Sequence, residues 1–205
     1  NMANFDIDLN NLFFGELING RNVPWYFLIT WIFITTPILY LILFIIGFSI
    51  VILKFFKKKF ILNSHDLLMD IFFIIIFFSP LIATVLFNST IYNGWRQVYF
   101  IYPGLIYLSI SGLVYIKKHF DKKTLLYLSV FLSLYLFSTV YWIFSNHPHQ
   151  YVYFNKFISK NNIKNRFDLD YWGLSYKESL EKILNNDDRK KIKISNLSSN
   201  KLDHP

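Results

Sequence analysis

NVPWYFLITWIFITTPILYLILFIIGFSIVIL, residues 22–53, contains no Asp, Glu, Lys or Arg, and this run of 32 neutral positions between Arg21 and Lys54 decides the fold class. A helix needs about 20 residues to cross the hydrocarbon core of a bilayer, so the run is longer than one crossing requires. Its start, Pro24-Trp25-Tyr26, has the composition of an interfacial anchor, because Trp and Tyr favour the headgroup level. Pro37, preceded by Thr35 and Thr36, is expected to kink the helix, since it removes a backbone donor and crowds the turn before it.

Working outward, three more apolar stretches follow. One covers 67–87, with Pro80 inside it and Asp70 near one end, where the carboxylate is expected to reach water. Another covers 97–116 and contains Pro103 and Gly104; the last covers 124–144. With the first span placed at 26–53, the expected fold class is an all-α polytopic membrane protein of four transmembrane helices. Composition agrees: 54% of the 205 residues are hydrophobic and 23 are Phe, more apolar surface than a soluble domain of this length covers. The formal charge of +8 could suggest nucleic acid, but the basic residues cluster beside the hydrophobic spans, where topology explains them better. The bilayer is therefore an expected partner and nucleic acid is not. The absence of cysteine removes any disulfide framework or thiolate metal site.

The loops orient the chain. Lys54, Lys57, Lys58 and Lys59 follow the first span, and Lys117, Lys118, Lys122 and Lys123 lie between the third and fourth, whereas Asn88 to Trp95 carries no charge before Arg96. The positive-inside rule makes the lysine loops cytoplasmic. It predicts a multi-pass protein of the cell (inner) membrane, with segment 1–25, the Arg96 loop and segment 145–205 all extracytoplasmic. The 61-residue tail is expected to form a small α/β appendage. Ser175-x-x-Glu178 reads as a capping box ahead of Leu180, Ile183 and Leu184 at helical spacing, and Lys191 to Ser195 alternates like a strand. The first residues show no signal-peptide pattern. The opening Asn1-Met2 points to a truncated N-terminus.

Uncharged helix interiors speak against a transporter or proton pump, which places ionisable groups within the membrane. Chemistry is therefore expected at the extracytoplasmic surface. Arg96 sits there among Trp95, Tyr99 and Tyr102, and its planar fork suits bidentate binding of a lipid-linked phosphate; an interfacial anchor that snorkels to the headgroups is the alternative. Glu16, in Leu12-Phe13-Phe14-Gly15-Glu16, either faces a substrate cleft or begins an interfacial helix. His147-Pro148-His149 resembles a metal pair, but zinc would need further ligands from Asp168, Asp170 or His204, and no metal site is assigned. Asp168 and Asp170, two apart, would share one face of a strand. No nucleophile elbow, phosphate-cradling glycine loop or His-Glu-x-x-His helix is present.

Several of these segments together resemble the C-terminal half of the C-type, polyprenyl-phosphate-sugar-dependent membrane glycosyltransferases, near bacterial relatives of the protein O-mannosyltransferase and aminoarabinose-transferase groups. The stretches are Leu12 to Glu16; Val23 to Tyr26 with Ile34 to Pro37; Gly94 to Phe100 with Tyr102-Pro103; and, in the tail, His147-Pro148, Gln150-Tyr151, Tyr153 to Asn155, and Asp170 to Ser175 with Lys177-Glu178. They cover residues 10 to 185, and their order relative to the spans gives the match its specificity. The resemblance implies transfer of a sugar, with inversion, from a polyprenyl-phosphate donor to an acceptor on the extracytoplasmic face. It places the catalytic carboxylate, and any divalent cation, on residues upstream of this chain, and it makes Arg96, Trp95, Tyr99, Tyr102 and Glu16 the substrate-binding candidates. A non-enzymatic four-span protein, a scaffold or a partner in moving lipid-linked sugars, is the alternative; reading the frame upstream of Asn1 distinguishes the two.

Overall fold

The neutral run does not form a single helix. In the computed structural model, which describes residues 9–56, 65–158, 163–170, 173 and 175–187, it forms α1 (Phe27–Thr35) and α2 (Ile38–Phe56), separated at Thr36-Pro37. Thr36 is extended (φ −95°, ψ 138°), the conformation that a following proline imposes. Where the sequence predicts one kinked span over 26–53, the break sets nine residues apart from the crossing helix. Phe27, Leu28, Trp31, Ile32 and Ile34 bury one side of α1, while Ile29 and Phe33 remain exposed on the other.

Breaking a helix in an apolar setting frees carbonyls that water cannot satisfy. Here the tail satisfies them. In an unbroken helix Phe33 O would accept from position 37, which is proline and has no N–H. The Asn155 side-chain amide donates to it instead (2.5 Å), and also to Thr36 O (2.9 Å), while the Asn155 backbone N–H donates to Ile34 O (2.8 Å).

Ahead of α1, β1 (Asn10–Phe13) and β2 (Glu16–Asn19) pair antiparallel. Phe14 (φ 54°) and Gly15 (φ 92°) both lie in the left-handed region, as a two-residue type I′ turn requires. Phe167 bridges to Phe13, and Gly15 N–H donates to Arg166 O (3.2 Å), so the tail lies along the hairpin. The rings of Phe13, Phe27, Trp31, Phe154 and Phe167 meet at centroid distances of 4.8 to 6.3 Å and fuse hairpin, α1 and tail into one aromatic core. Among the described residues this hairpin is the one two-stranded sheet. The proposed strand at Lys191 to Ser195 lies outside the described residues.

Below this layer, α3 (His65–Leu86), α4 (Tyr102–His119, entered through the 3₁₀ segment Arg96–Ile101) and α5 (Lys122–Ser145) join α2. Four segments are long and apolar enough to cross a membrane: Ile38–Phe56, Leu67–Leu86, Arg96–His119 and Lys122–Ser145. They mark a multi-pass membrane protein. Helices α2 and α4 touch backbone to backbone. A Cβ at Gly47 would stand 1.8 Å from Leu108 O, and one at Gly112 would stand 2.3 Å from Leu43 O. Small residues permit this approach, which matters in lipid because the hydrophobic effect gives no force between helices there. Gly104 does the same towards α3, facing Phe73 O at 2.9 Å.

Asp70 departs from expectation. It is 3% exposed, not at the water's edge, and accepts from Lys54 Nζ (3.0 Å) and the Tyr107 hydroxyl (2.9 Å). Both carboxylate oxygens are therefore satisfied by α2 and α4, the condition for keeping a charge inside a bundle. Helix α5 behaves oppositely. Asp121 caps it by accepting from the N–H groups of Lys123 and Thr124, yet none of its residues is fully buried. Only Leu125, Leu128, Leu132, Tyr135, Thr139 and Trp142, at alternating spacings of three and four, are half-buried.

In the tail, α6 (Tyr176–Asn185) forms where predicted, but its capping box does not. The Ser175 hydroxyl donates to the Asp170 carboxylate and Glu178 engages His149, so both box partners are taken by stronger, charged contacts.

Removing the Asn155 amide tests the break. Asn155→Ala strands two carbonyls at roughly 1–3 kcal/mol each. The detergent-solubilised variant should melt several degrees below wild type, and Asn155→Asp, isosteric but without the donors, should not rescue it.

Candidate functional site

The loop that carries the candidate residues is held by a buried asparagine on β1. Asn11 Nδ2 donates to Ile91 O (3.0 Å), and its Oδ1 accepts from Asn93 N–H (3.0 Å). Asn93 (φ 56°) and Gly94 (φ 72°) then turn the chain into the 3₁₀ segment. Val98 and Ile101 point inward there, leaving Tyr99 and Phe100 exposed.

Trp95 is buried, and its indole N–H donates to Thr35 Oγ1 (2.9 Å), which itself donates to Trp31 O (2.6 Å). The Trp95 ring packs edge-on against Tyr99 (4.7 Å) and tilts against Tyr102 (6.0 Å). Trp95 thus ties the loop to the last turn of α1 and supports the two tyrosines beside it. Arg96 is half-buried, with its guanidinium 5.7 Å from the centroid of the Tyr92 ring, and close enough to Tyr99 to act on its phenol electrostatically. Tyr102 neighbours both Tyr99 and Tyr40 of α2. Tyr153, from the tail, meets Tyr135 of α5 and also lies near Tyr40; burial first, then these phenols, push its pKa up to about 12.

The structure therefore gathers Trp95, Arg96, Tyr99 and Tyr102 at one end of α4 and adds Tyr40, Tyr135 and Tyr153, which sequence reasoning did not select. Their signal was present only as aromatic content. The Arg96 guanidinium, beside the Tyr92 and Tyr99 rings, supplies several hydrogen-bond donors and one positive charge, a setting suited to an anionic oxygen ligand. Glu16 is placed differently. It opens β2 at the hairpin's tip, exposed, beside the tail segment 166–168, whereas the Arg96 loop attaches at the hairpin's base through Asn11. It begins a strand, not the interfacial helix considered for it.

The remaining candidates separate. Asp168 Oδ2 accepts from the Leu12 N–H (3.0 Å), while Asp170 accepts from the Tyr151 hydroxyl (3.3 Å) and Ser175, so the two do not act as one carboxylate face. His149 is occupied on both nitrogens, by Glu178 (2.7 Å) and the Tyr151 hydroxyl (3.2 Å), and His147 Nδ1 faces the Gln150 amide (2.8 Å). Among the described residues, no three His, Cys, Asp or Glu side chains are grouped to hold a metal ion. His204, Tyr171 and Trp172 lie outside the described residues.

No family model, curated protein or solved structure matches the chain.

Burial raises the pKa of Asp168 from 3.8 to about 6, outweighing the Leu12 N–H bond that lowers it. The folded chain therefore binds a proton more readily than the unfolded one, and the fold loses stability as pH rises from about 4 to about 6, even though the Leu12 N–H bond itself favours the ionised carboxylate. The melting temperature of the detergent-solubilised protein should fall across that window. Asp168→Asn, which keeps an acceptor, should flatten the response.

Proposed function

We propose that this chain forms the C-terminal part of a membrane glycosyltransferase that moves a sugar from a polyprenyl-phosphate donor to an acceptor on the extracytoplasmic face. One observation carries the reading. The segments that resemble the C-type enzymes are spread over more than 150 positions of sequence, yet they meet in one layer at one end of four apolar helices. Phe13 packs on Tyr26, Trp95 joins Thr35, and Asn155 joins Ile34 and Thr36. By connectivity, that end is opposite to the lysine loops, as the positive-inside orientation requires of an extracytoplasmic face.

In this reading, Arg96 holds the phosphate of the donor, with Tyr99 and Tyr102 beside it. As the bond from the sugar to the phosphate oxygen breaks, negative charge develops on the departing phosphate. A fixed guanidinium stabilises that charge more in the transition state than in the ground state. Trp95 acts by position: it holds the tyrosines and the loop against α1. The acidic group that activates the acceptor belongs, by the resemblance, to a segment outside this chain.

Two measurements test the proposal. Arg96→Ala in the full-length protein should lower sugar transfer from a radiolabelled polyprenyl-phosphate-sugar by roughly 100-fold or more, with expression unchanged; wild-type turnover would overturn it. Because the chain has no native cysteine, single cysteines report orientation cleanly. A cysteine replacing Ser89 should react with a membrane-impermeant maleimide on intact cells, and one replacing Lys118 only after permeabilisation.

A further inference from the structure

Away from the Arg96 group, α1, α2 and α3 leave a groove between them. Leu28 and Ile32 of α1, Leu41 and Ile45 of α2, and Phe77 and Leu81 of α3 are among its walls, and its volume of about 500 Å³ falls within the range of ligand sites, roughly 300–1,000 Å³. Every lining residue is aliphatic or aromatic. Its reach along the helices runs from Leu86 to Phe77 on α3 and from Leu41 to Ile45 on α2. At 1.5 Å per residue the α3 wall is about 14 Å long, close to half of a hydrocarbon core of about 30 Å. The groove is therefore about one leaflet deep.

At its hairpin end a second space of about 100 Å³, with both apolar and polar walls, adjoins it. Trp25, Leu28 and Val85 line both spaces, so an elongated molecule can occupy the two together. Arg21 is the one charged residue among those that line this niche, and Asn88 and Ser89 add an amide and a hydroxyl. Basic and hydrogen-bonding groups at the headgroup level, above an apolar slot one leaflet deep, complement a lipid with an anionic head.

We propose that this continuous groove and niche bind one anionic glycerophospholipid of the leaflet at the hairpin end, with an acyl chain between α1, α2 and α3 and the phosphate on Arg21. The dimensions decide among occupants. A protein helix, about 10 Å across, needs roughly twice the groove's volume over the same length. A polyprenyl chain is several times longer than one leaflet's depth. The surrounding medium also supplies the phospholipid at the highest concentration. The site does not include Arg96, so its failure would leave the glycosyltransferase reading standing, and the reverse also holds.

Trp25 lines both spaces and serves as the reporter. The full chain is reconstituted in nanodiscs of phosphatidylcholine containing, at equal mole fraction, either phosphatidylglycerol or phosphatidylcholine with brominated acyl chains. Emission is read against Trp25→Phe to isolate the contribution of Trp25. Brominated phosphatidylglycerol should quench that contribution several-fold more than brominated phosphatidylcholine. Arg21→Gln should bring the two lipids level, and Ile45→Phe, filling the groove from an exposed wall, should weaken the phosphatidylglycerol effect. Equal quenching of wild type by both lipids overturns the proposal without reliance on any groove variant. So does a preference that survives Arg21→Gln, or quenching relieved by unlabelled polyprenyl phosphate but not by unlabelled phosphatidylglycerol.

Discussion

Three hydrogen bonds from one asparagine hold the molecule's two ends together. Pro37 ends α1 inside an apolar layer and leaves the carbonyls of Phe33, Ile34 and Thr36 without partners on their own helix. Asn155, 118 positions after Pro37 in the sequence, supplies a donor to each. In water such carbonyls would be solvated. Here each would cost free energy if unpaired, so the break at Pro37 and the docking of the tail are one event. The aromatic core of Phe13, Trp31, Phe154 and Phe167 closes around this point, and Trp95 fixes the Arg96 loop to the same turn through Thr35.

The membrane portion divides into a tight part and a loose part. Helices α2, α3 and α4 approach as closely as glycine allows, at Gly47, Gly104 and Gly112, and share one buried carboxylate between Lys54 and Tyr107. Dispersion and polar contacts, not hydrophobic burial, are the forces available for this packing in lipid. Helix α5 has no fully buried residue, and its Trp142 and Tyr135 meet Tyr153 of the tail. The tight part thus carries the Arg96 loop and two walls of the apolar groove, those of α2 and α3. Helix α5 borders the cluster of phenols.

The candidate site was legible in part. Arg96 and its aromatic neighbours stand out as one basic residue in an aromatic loop, and that local pattern survives folding because the loop is short. Tyr40, Tyr135 and Tyr153 join it from three other segments, and nothing in their immediate neighbours signals the meeting. Glu16 begins a strand and not a helix, because the turn at Phe14-Gly15 reverses the apolar run Leu12-Phe13-Phe14 and carries Glu16 to the hairpin's tip. Asp70 was misjudged because distance along a helix was taken for distance to water, and the Lys54 and Tyr107 partners come from other helices.

The number of apolar spans, the approximate limits of the last three and an interruption at Pro37 are properties of the sequence alone. Each depends on local composition: about 20 uncharged residues suffice for a span, and proline acts on its own turn. Tertiary structure alone decided that the first nine helical residues leave the span to build a layer with the hairpin and tail, that Asn155 seals the break, and that Asp70 is buried. Those outcomes rest on which distant donor reaches an unsatisfied acceptor, and a linear pattern does not encode that pairing.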